Sequence, residues 1–315
     1  MARPSSKVWP RSRGVRIACY ATCLTLWATP ARAEGPLDEE HGAGFYWARG
    51  GAIAGAMGLT VATTILVEPA RPEPTPSEWL GWDNSVRGRL STMTSGASDG
   101  TLLGSVALPI AFEAAQGFDL RSVNAAMLYG EVLWANVLLN TAAKYALPRL
   151  RPYNYRDPPA AAYVESQGID AYLSFYSGHA STAFAAAVGG SYLFSAAHPD
   201  SAANPWLWGF ESALASATAI WRIRAGKHFY SDVAAGAVVG SALGVGIPLL
   251  EGVHHRPSMT DMAFAGGGVI VGVLAAVVAP FPEDGTAVQR ATQLRLKVVP
   301  AFSDRAAGLT VTGQL

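Results

Sequence analysis

Lys144 stands six residues ahead of the pair Arg151-Pro152. A separation of seven is two helical turns, so both cations would share a face if a helix persisted through them. Pro148 predicts a bend between them that tips both toward one pocket. Alone, the pair reads equally as a cationic helix end reaching an interface. Ser177-Gly178-His179 comes next, directly ahead of an apolar run from Ala180. Serine there is an ordinary N-cap, and glycine lets the backbone turn tightly. The same geometry offers free backbone N–H groups to an anion, beside an imidazole able to move a proton. The third cluster is Arg222, five residues, His228, three residues, Asp232. His228 and Asp232 are neighbours if the turn is helical, and a carboxylate there fixes the imidazole tautomer and exposes the other nitrogen. The plain alternative is a charged loop, with Asp232 capping a helix and Arg224 and Lys227 adding positive charge. Together the clusters bring three cations, two histidines and one carboxylate, an inventory for holding a phosphate and cleaving it through a phosphohistidine.

The elements that must position these groups are apolar. Of 315 residues, 50% are apolar and 15% charged, well under the roughly 25% charged of a soluble domain. With 23 basic and 23 acidic residues there is no basic excess, which argues against nucleic acid as a partner. Apolar runs cover Ala48 to Val67, Leu102 to Ala115, Ala125 to Leu147, Ala180 to Ala197, Pro205 to Trp221, Val233 to Leu250 and Ala263 to Pro280. Most approach the length that crosses a bilayer as a helix. Gly236, Gly240 and Gly244, and likewise Gly51 and Gly55, form the small-residue stripes that let helix backbones approach closely. A Pro-rich linker, Glu68 to Ser77, follows the first run. After the last, Leu294 to Val298 and Leu309 to Thr312 alternate around a turn-like stretch, which predicts a short β-hairpin.

The first 33 residues have the form of a secretory signal peptide: Arg11, Arg13 and Arg16, then apolar Ile17 to Thr29, then Ala31-Arg32-Ala33. That segment holds six basic residues and no acid, so its removal leaves 17 basic against 23 acidic. It also takes both cysteines, Cys19 and Cys23, leaving neither disulfide nor thiolate chemistry. His254-His255 lacks a third ligand at metal spacing, and His41 and His198 stand in an acidic segment and a connector. Glu131, Asn136 and Asn140 fall inside the third apolar run, where polar groups serve as interior glue or support Lys144.

The three clusters resemble the signature of the type 2 phosphatidic acid phosphatase and vanadium haloperoxidase superfamily, K-x6-RP, PSGH and SR-x5-H-x3-D. They read here as Lys144 to Pro152, Ser177-Gly178-His179 and Arg222 to Asp232. Tyr176 stands where the family has Pro, and Trp221 where it has Ser, removing one hydroxyl from the phosphate site. The resemblance implies an all-α bundle with six core helices, to which the short β-like tail is added, and a membrane-associated lipid phosphatase. It casts His228 as nucleophile, Asp232 as its orienter and His179 as general acid and then base. Lys144, Arg151, Arg222, Ser177 and Gly178 would hold the phosphate, without metal or other cofactor. The expected divisions are a signal peptide (1–33), first helix and linker (34–98), catalytic core (99–250), and an extra apolar segment with the tail (251–315).

The expected partner is a phospholipid or polyprenyl phosphate in a bacterial envelope membrane, with the site facing the periplasm. Other readings are a soluble periplasmic acid phosphatase, a haloperoxidase carrying vanadate, and a non-catalytic lipid-binding protein. One difficulty follows from counting. Three crossings after a cleaved signal would place Lys144 on the cytoplasmic side, so either an early run does not cross or the bundle does not span at all. Leu102 to Ala115, short and interrupted by Pro109 and Glu113, is the weakest and is expected to be surface-lying or re-entrant.

Overall fold

The computed structural model describes residues 37–38, 40, 43–73, 79–117, 119–156, 161–284, 297–303 and 306–312. The signal-peptide segment and His41 lie outside the described residues. The chain is all-α apart from its tail. The helices are α1 (Ala43–Leu66), α2 (Thr92–Gln116), α3 (Leu120–Ala146), the short α4 (Ala161–Gln167), α5 (Gly178–Ala197), α6 (Asn204–Arg224), α7 (Tyr230–Leu250) and α8 (Met259–Val278). Each predicted apolar run is therefore a helix. The tail is an antiparallel hairpin of β1 (Lys297–Ser303) and β2 (Ala306–Thr312). Its strands extend through most of the stretch expected to turn, with Pro300 opposite Leu309. Leu294 to Leu296 lie outside the described residues.

Helix α5 is the centre, in contact with α2, α3, α6 and α7. Its buried positions are largely small, including Ala183, Ala185, Ala186, Ala187, Gly189 and Gly190. A helix apolar all round is one that belongs inside a bundle. The stripe on α7 is the packing face expected of it. A Cβ on Gly240 would stand 2.1 Å from the Ser181 carbonyl oxygen, so the α5 and α7 backbones touch there. Gly268 and Gly272 of α8 do the same against Gly209 and Ala213 of α6, a stripe not singled out from the sequence. Gly51 and Gly55 do not: nothing lies within 4 Å of a Cβ at either, so their spacing makes no close contact within this chain.

Leu102 to Ala115 is neither surface-lying nor re-entrant, although its helix is not among the described ones long and apolar enough to cross a membrane. It belongs to α2, a 25-residue helix packed on α5 and α6, with Pro109 and Glu113 buried. Pro109 fits because Gly190 faces it; a Cβ there would fall 2.4 Å from the proline ring. Glu113 finds His198 at 2.8 Å. Length read from apolar residues alone underestimates this helix, because its first two turns, Thr92 to Gly100, are polar and lead into the site.

Successive long helices run in opposite directions. The starts of α2, α5 and α7 therefore meet the ends of α3 and α6. Tyr145, near the end of α3, reaches the Thr64 carbonyl near the end of α1. At the opposite end Arg49 of α1 pairs with Glu131 of α3 and, at 2.7 Å, with Glu251 after α7. Glu131 and Asn136, which bonds Thr182 at 2.9 Å, are thus interior ties. Among the described residues three helices, α1 (from Trp47), α7 and α8, are long and apolar enough to cross a membrane.

Candidate active site

All three sequence clusters meet at the end where α2, α5 and α7 begin. Helix α3 stops at Ala146, so Lys144 sits in its last turn. Beyond Pro148 the chain is extended, not helical. Arg149 and Arg151 bond through their backbones to residues 171–174, with Arg149 bridging Leu173 in parallel. Alternation along an extended chain then turns both arginines inward, each 4% exposed or less. The chain leaves the helix before Pro148, where a bend is expected, and Arg151 reaches the site from an extended segment rather than from a continued helix.

Ser177 caps α5, its hydroxyl accepting from the Ala180 N–H at 3.3 Å, and its own N–H donates to the Asp232 carbonyl at 3.0 Å. Capping and site-building are one arrangement here. A Cβ on Gly178 would fall 2.8 Å from Asn140 Oδ1 and 3.6 Å from Lys144 Nζ, so only glycine brings this helix start against the lysine. Asn140 locks the approach by donating to the Tyr176 carbonyl at 2.8 Å. Of Glu131, Asn136 and Asn140, it is the one that reaches the site end of α3, one turn before Lys144.

His228 is 1% exposed and precedes α7. Its Nε2 lies 3.0 Å from Arg151 Nη1. A guanidinium only donates, so Nε2 is the acceptor, and the proton of the neutral ring resides on Nδ1. Nδ1 faces Asp232 Oδ2 at 3.7 Å, an electrostatic contact longer than a hydrogen bond. The Asp232 carboxylate is itself fixed: Oδ2 accepts from Ser174 at 2.6 Å and from the Phe229 N–H at 3.0 Å, and Oδ1 from Arg149 at 2.5 Å. Burial first, then Arg151, Arg222 and Lys144, hold His228 well below its ordinary pKa, so the ring is neutral and Nε2 carries a lone pair.

Arg222 is buried at the end of α6, with Nη1 donating to Ser98 of α2 at 3.2 Å and lying 3.5 Å from Asp99 Oδ1 as an ion pair. Its Nε has no partner among the described residues. His179 Nε2 meets Asp99 Oδ1 at 2.7 Å. Burial and then Arg222 push this imidazole down to about 4, with Asp99 opposing them. Burial, followed by the charge of Arg151, lowers Lys144 to about 8; the same causes, with Arg222 added, lower Lys227 to about 8. Burial is the largest cause common to these shifts, and the neighbouring cations add to it, a positive charge that an anion would relieve. Arg151 meets one carboxylate, Asp170, at 2.6 Å.

Asp83, Asp99, Arg149, Asp170 and Ser174 were not found from the sequence. Arg149-Leu150-Arg151 held a usable signal, since an R-x-R pair in an extended segment shares a face. The acidic residues come from distant segments without motifs. Trp221 turns to Phe281, ring centroids 5.9 Å apart, in the segment leaving α8. The serine hydroxyl it replaces has a counterpart in Ser95 and Ser98, both bonded to Arg222.

Residues 125–254 match the model of the PAP2 superfamily. The PAP2 match takes in all three clusters and helices α3 to α7, and leaves α1, α2, α8 and the hairpin outside. No curated protein and no solved structure matched the chain. The PAP2 match supports a phosphatase-type or related activity. Among the described residues no group of three or more His, Cys, Asp or Glu is placed to hold a metal ion.

Proposed function

We propose that the protein is a phosphatase of membrane lipids, hydrolysing a lipid phosphate or diphosphate monoester through a phosphohistidine and without a metal. The observation that carries this reading is the lone pair of His228 Nε2, facing Arg151 in a buried cluster of cations. His228 Nε2 attacks phosphorus, forming an N–P bond as the ester P–O bond breaks. His179 gives the leaving oxygen its proton, then takes one from the water that cleaves the N–P bond. Asp232 holds the Nδ1–H side of His228. Lys144, Arg151 and Arg222, with the Ser177-Gly178 turn at the start of α5, receive the non-bridging oxygens. Helices α7 and α8, long and apolar enough for a bilayer and flanking the site end, favour a lipid over a soluble ester.

Phosphate release by detergent-purified protein in EDTA tests this, on phosphatidic acid, phosphatidylglycerol phosphate, undecaprenyl diphosphate, lipid A and a soluble aryl phosphate. Release from a lipid that survives EDTA and vanishes in His228→Ala is the expected result. Preference for the aryl phosphate would instead make it a broad acid phosphatase. Vanadate-dependent halide oxidation with no release would make it a haloperoxidase.

A further inference from the structure

Asp83 lies in the 3₁₀ turn Gly81–Val86, outside the matched stretch, and is fully buried. We propose that Asp83 is a positioning residue that offsets the charge of Arg149 and so leaves the charge of Asp232 available to His228. Arg149 bridges the two carboxylates, with Nη1 on Asp232 Oδ1 at 2.5 Å and Nη2 on Asp83 Oδ2 at 3.0 Å. Its guanidinium carbon lies 4.0 Å from the Phe229 ring centroid and 4.5 Å from that of Trp79. Ser231 closes the group. Its N–H donates to Asp83 Oδ1 at 3.1 Å, its hydroxyl donates to Asp83 Oδ2, and its oxygen accepts from Arg149 at 2.8 Å.

The charges decide what this group can do. Arg149 with Asp232 alone would present His228 with a neutral pair. With Asp83 the buried trio carries one net negative charge, and Asp232 presents it 3.7 Å from His228 Nδ1. This consequence rests on His228 being the nucleophile. Phosphorylated on Nε2 and protonated on Nδ1, its ring is cationic, and a nearby anion in a poorly screened interior stabilises that state. The phosphate is held by other cations, so Asp83 acts on turnover more than on substrate binding.

A double-mutant cycle of Asp83→Asn and Arg149→Met tests the assignment on the full chain. Asp83→Asn is expected to lower kcat about tenfold, mid-range for coupled neighbours, with KM little changed. Arg149→Met leaves two buried carboxylates without their cation, so it is expected to lower both kcat and melting temperature further. Adding Asp83→Asn to Arg149→Met removes the orphaned carboxylate and should restore part of both, and Asp83→Asn alone should lower the His228 pKa, which a merely structural aspartate would not do. A double variant no better than Arg149→Met, or an Asp83→Asn effect confined to KM, would overturn the proposal. If wild-type protein released no phosphate, the reading of the whole site would fall separately. The cycle would still be decided by melting temperature and by NMR titration of His228, whose pKa should drop in Asp83→Asn.

Discussion

His179 Nε2 and Asp99 Oδ1 are 2.7 Å apart, which makes a residue from the second turn of α2 the partner of the proposed general acid. Asp99 is the group that opposes burial and Arg222 in setting the His179 pKa. Replacing it with asparagine removes that opposition and lowers the pKa further. A smaller share of His179 is then protonated at any pH above its own pKa. Asp99→Asn should therefore lower kcat/KM by about tenfold to a hundredfold, within the range of general acid catalysis. The deficit should open as pH rises through about 4, where wild-type His179 begins to lose its proton, and hold constant from pH 5 to 7. A rate–pH series from pH 3 to 7 on wild type and variant checks this; a deficit as large below pH 4 as above it would assign Asp99 to packing alone.

Lys144 sets a second pH limit. As a phosphate clamp it must be protonated, and burial brings its pKa down to about 8. Substrate capture should consequently fail as pH rises through about 8, since the charge is present below the pKa and lost above it. Lys144→Arg keeps the charge to much higher pH, so its basic limb should move upward even if its maximal rate is lower. Lys144→Met should lose about 3 kcal/mol of transition-state stabilisation at pH 7. The kcat/KM profile from pH 6 to 10 measures all three proteins.

The clusters were legible because their chemistry is local: a cap, a lysine near a helix end and an imidazole four residues from a carboxylate each occupy a few adjacent positions. Helices were legible from apolar length. What surrounds the clusters was not. Asp83 and Asp99 sit in polar stretches whose role depends on α2 beginning at the same end as α5 and α7, which is a property of the packed bundle. Arg149 was not legible because Pro148 predicts only a bend, and the pairing with residues 171–174 that turns Arg149 and Arg151 to one side belongs to the folded chain. The packing role of Trp221 was not legible either, because its partner Phe281 stands sixty residues on.

The contact between α5 and α7 gives a prediction about stability. Gly240→Ala places a methyl group where 2.1 Å separates it from the Ser181 carbonyl, so the two helices must move apart. Such overpacking costs about 1–3 kcal/mol, more than the roughly 1 kcal/mol alanine gains in helix propensity. Gly246, on the same helix, has nothing within 4 Å of its Cβ position. Gly246→Ala should therefore leave the melting temperature unchanged or raise it slightly, while Gly240→Ala lowers it. Thermal unfolding of both in one detergent separates contact from composition.

Membrane insertion has a consequence at the two ends of the bundle. Ala202 is exposed between α5 and α6, at the end away from the site. Glu283 is exposed at the site end, next to Asp284, whose N–H bonds the Leu90 carbonyl. The sequence's two cysteines, Cys19 and Cys23, can be changed to serine, leaving a single introduced thiol to report. If α1, α7 and α8 cross a bilayer, Ala202→Cys and Glu283→Cys lie on opposite sides of it. A membrane-impermeant maleimide added to intact spheroplasts should then label one of them and not the other, and both after permeabilisation. Because α1, α2 and α3 carry the chain from end to end three times, a periplasm-facing site requires that Glu283→Cys be the labelled one and that the chain ahead of α1 remain cytoplasmic. Labelling of both in intact spheroplasts would mean that the bundle does not span, and its exposed apolar helices would then need a protein partner rather than lipid.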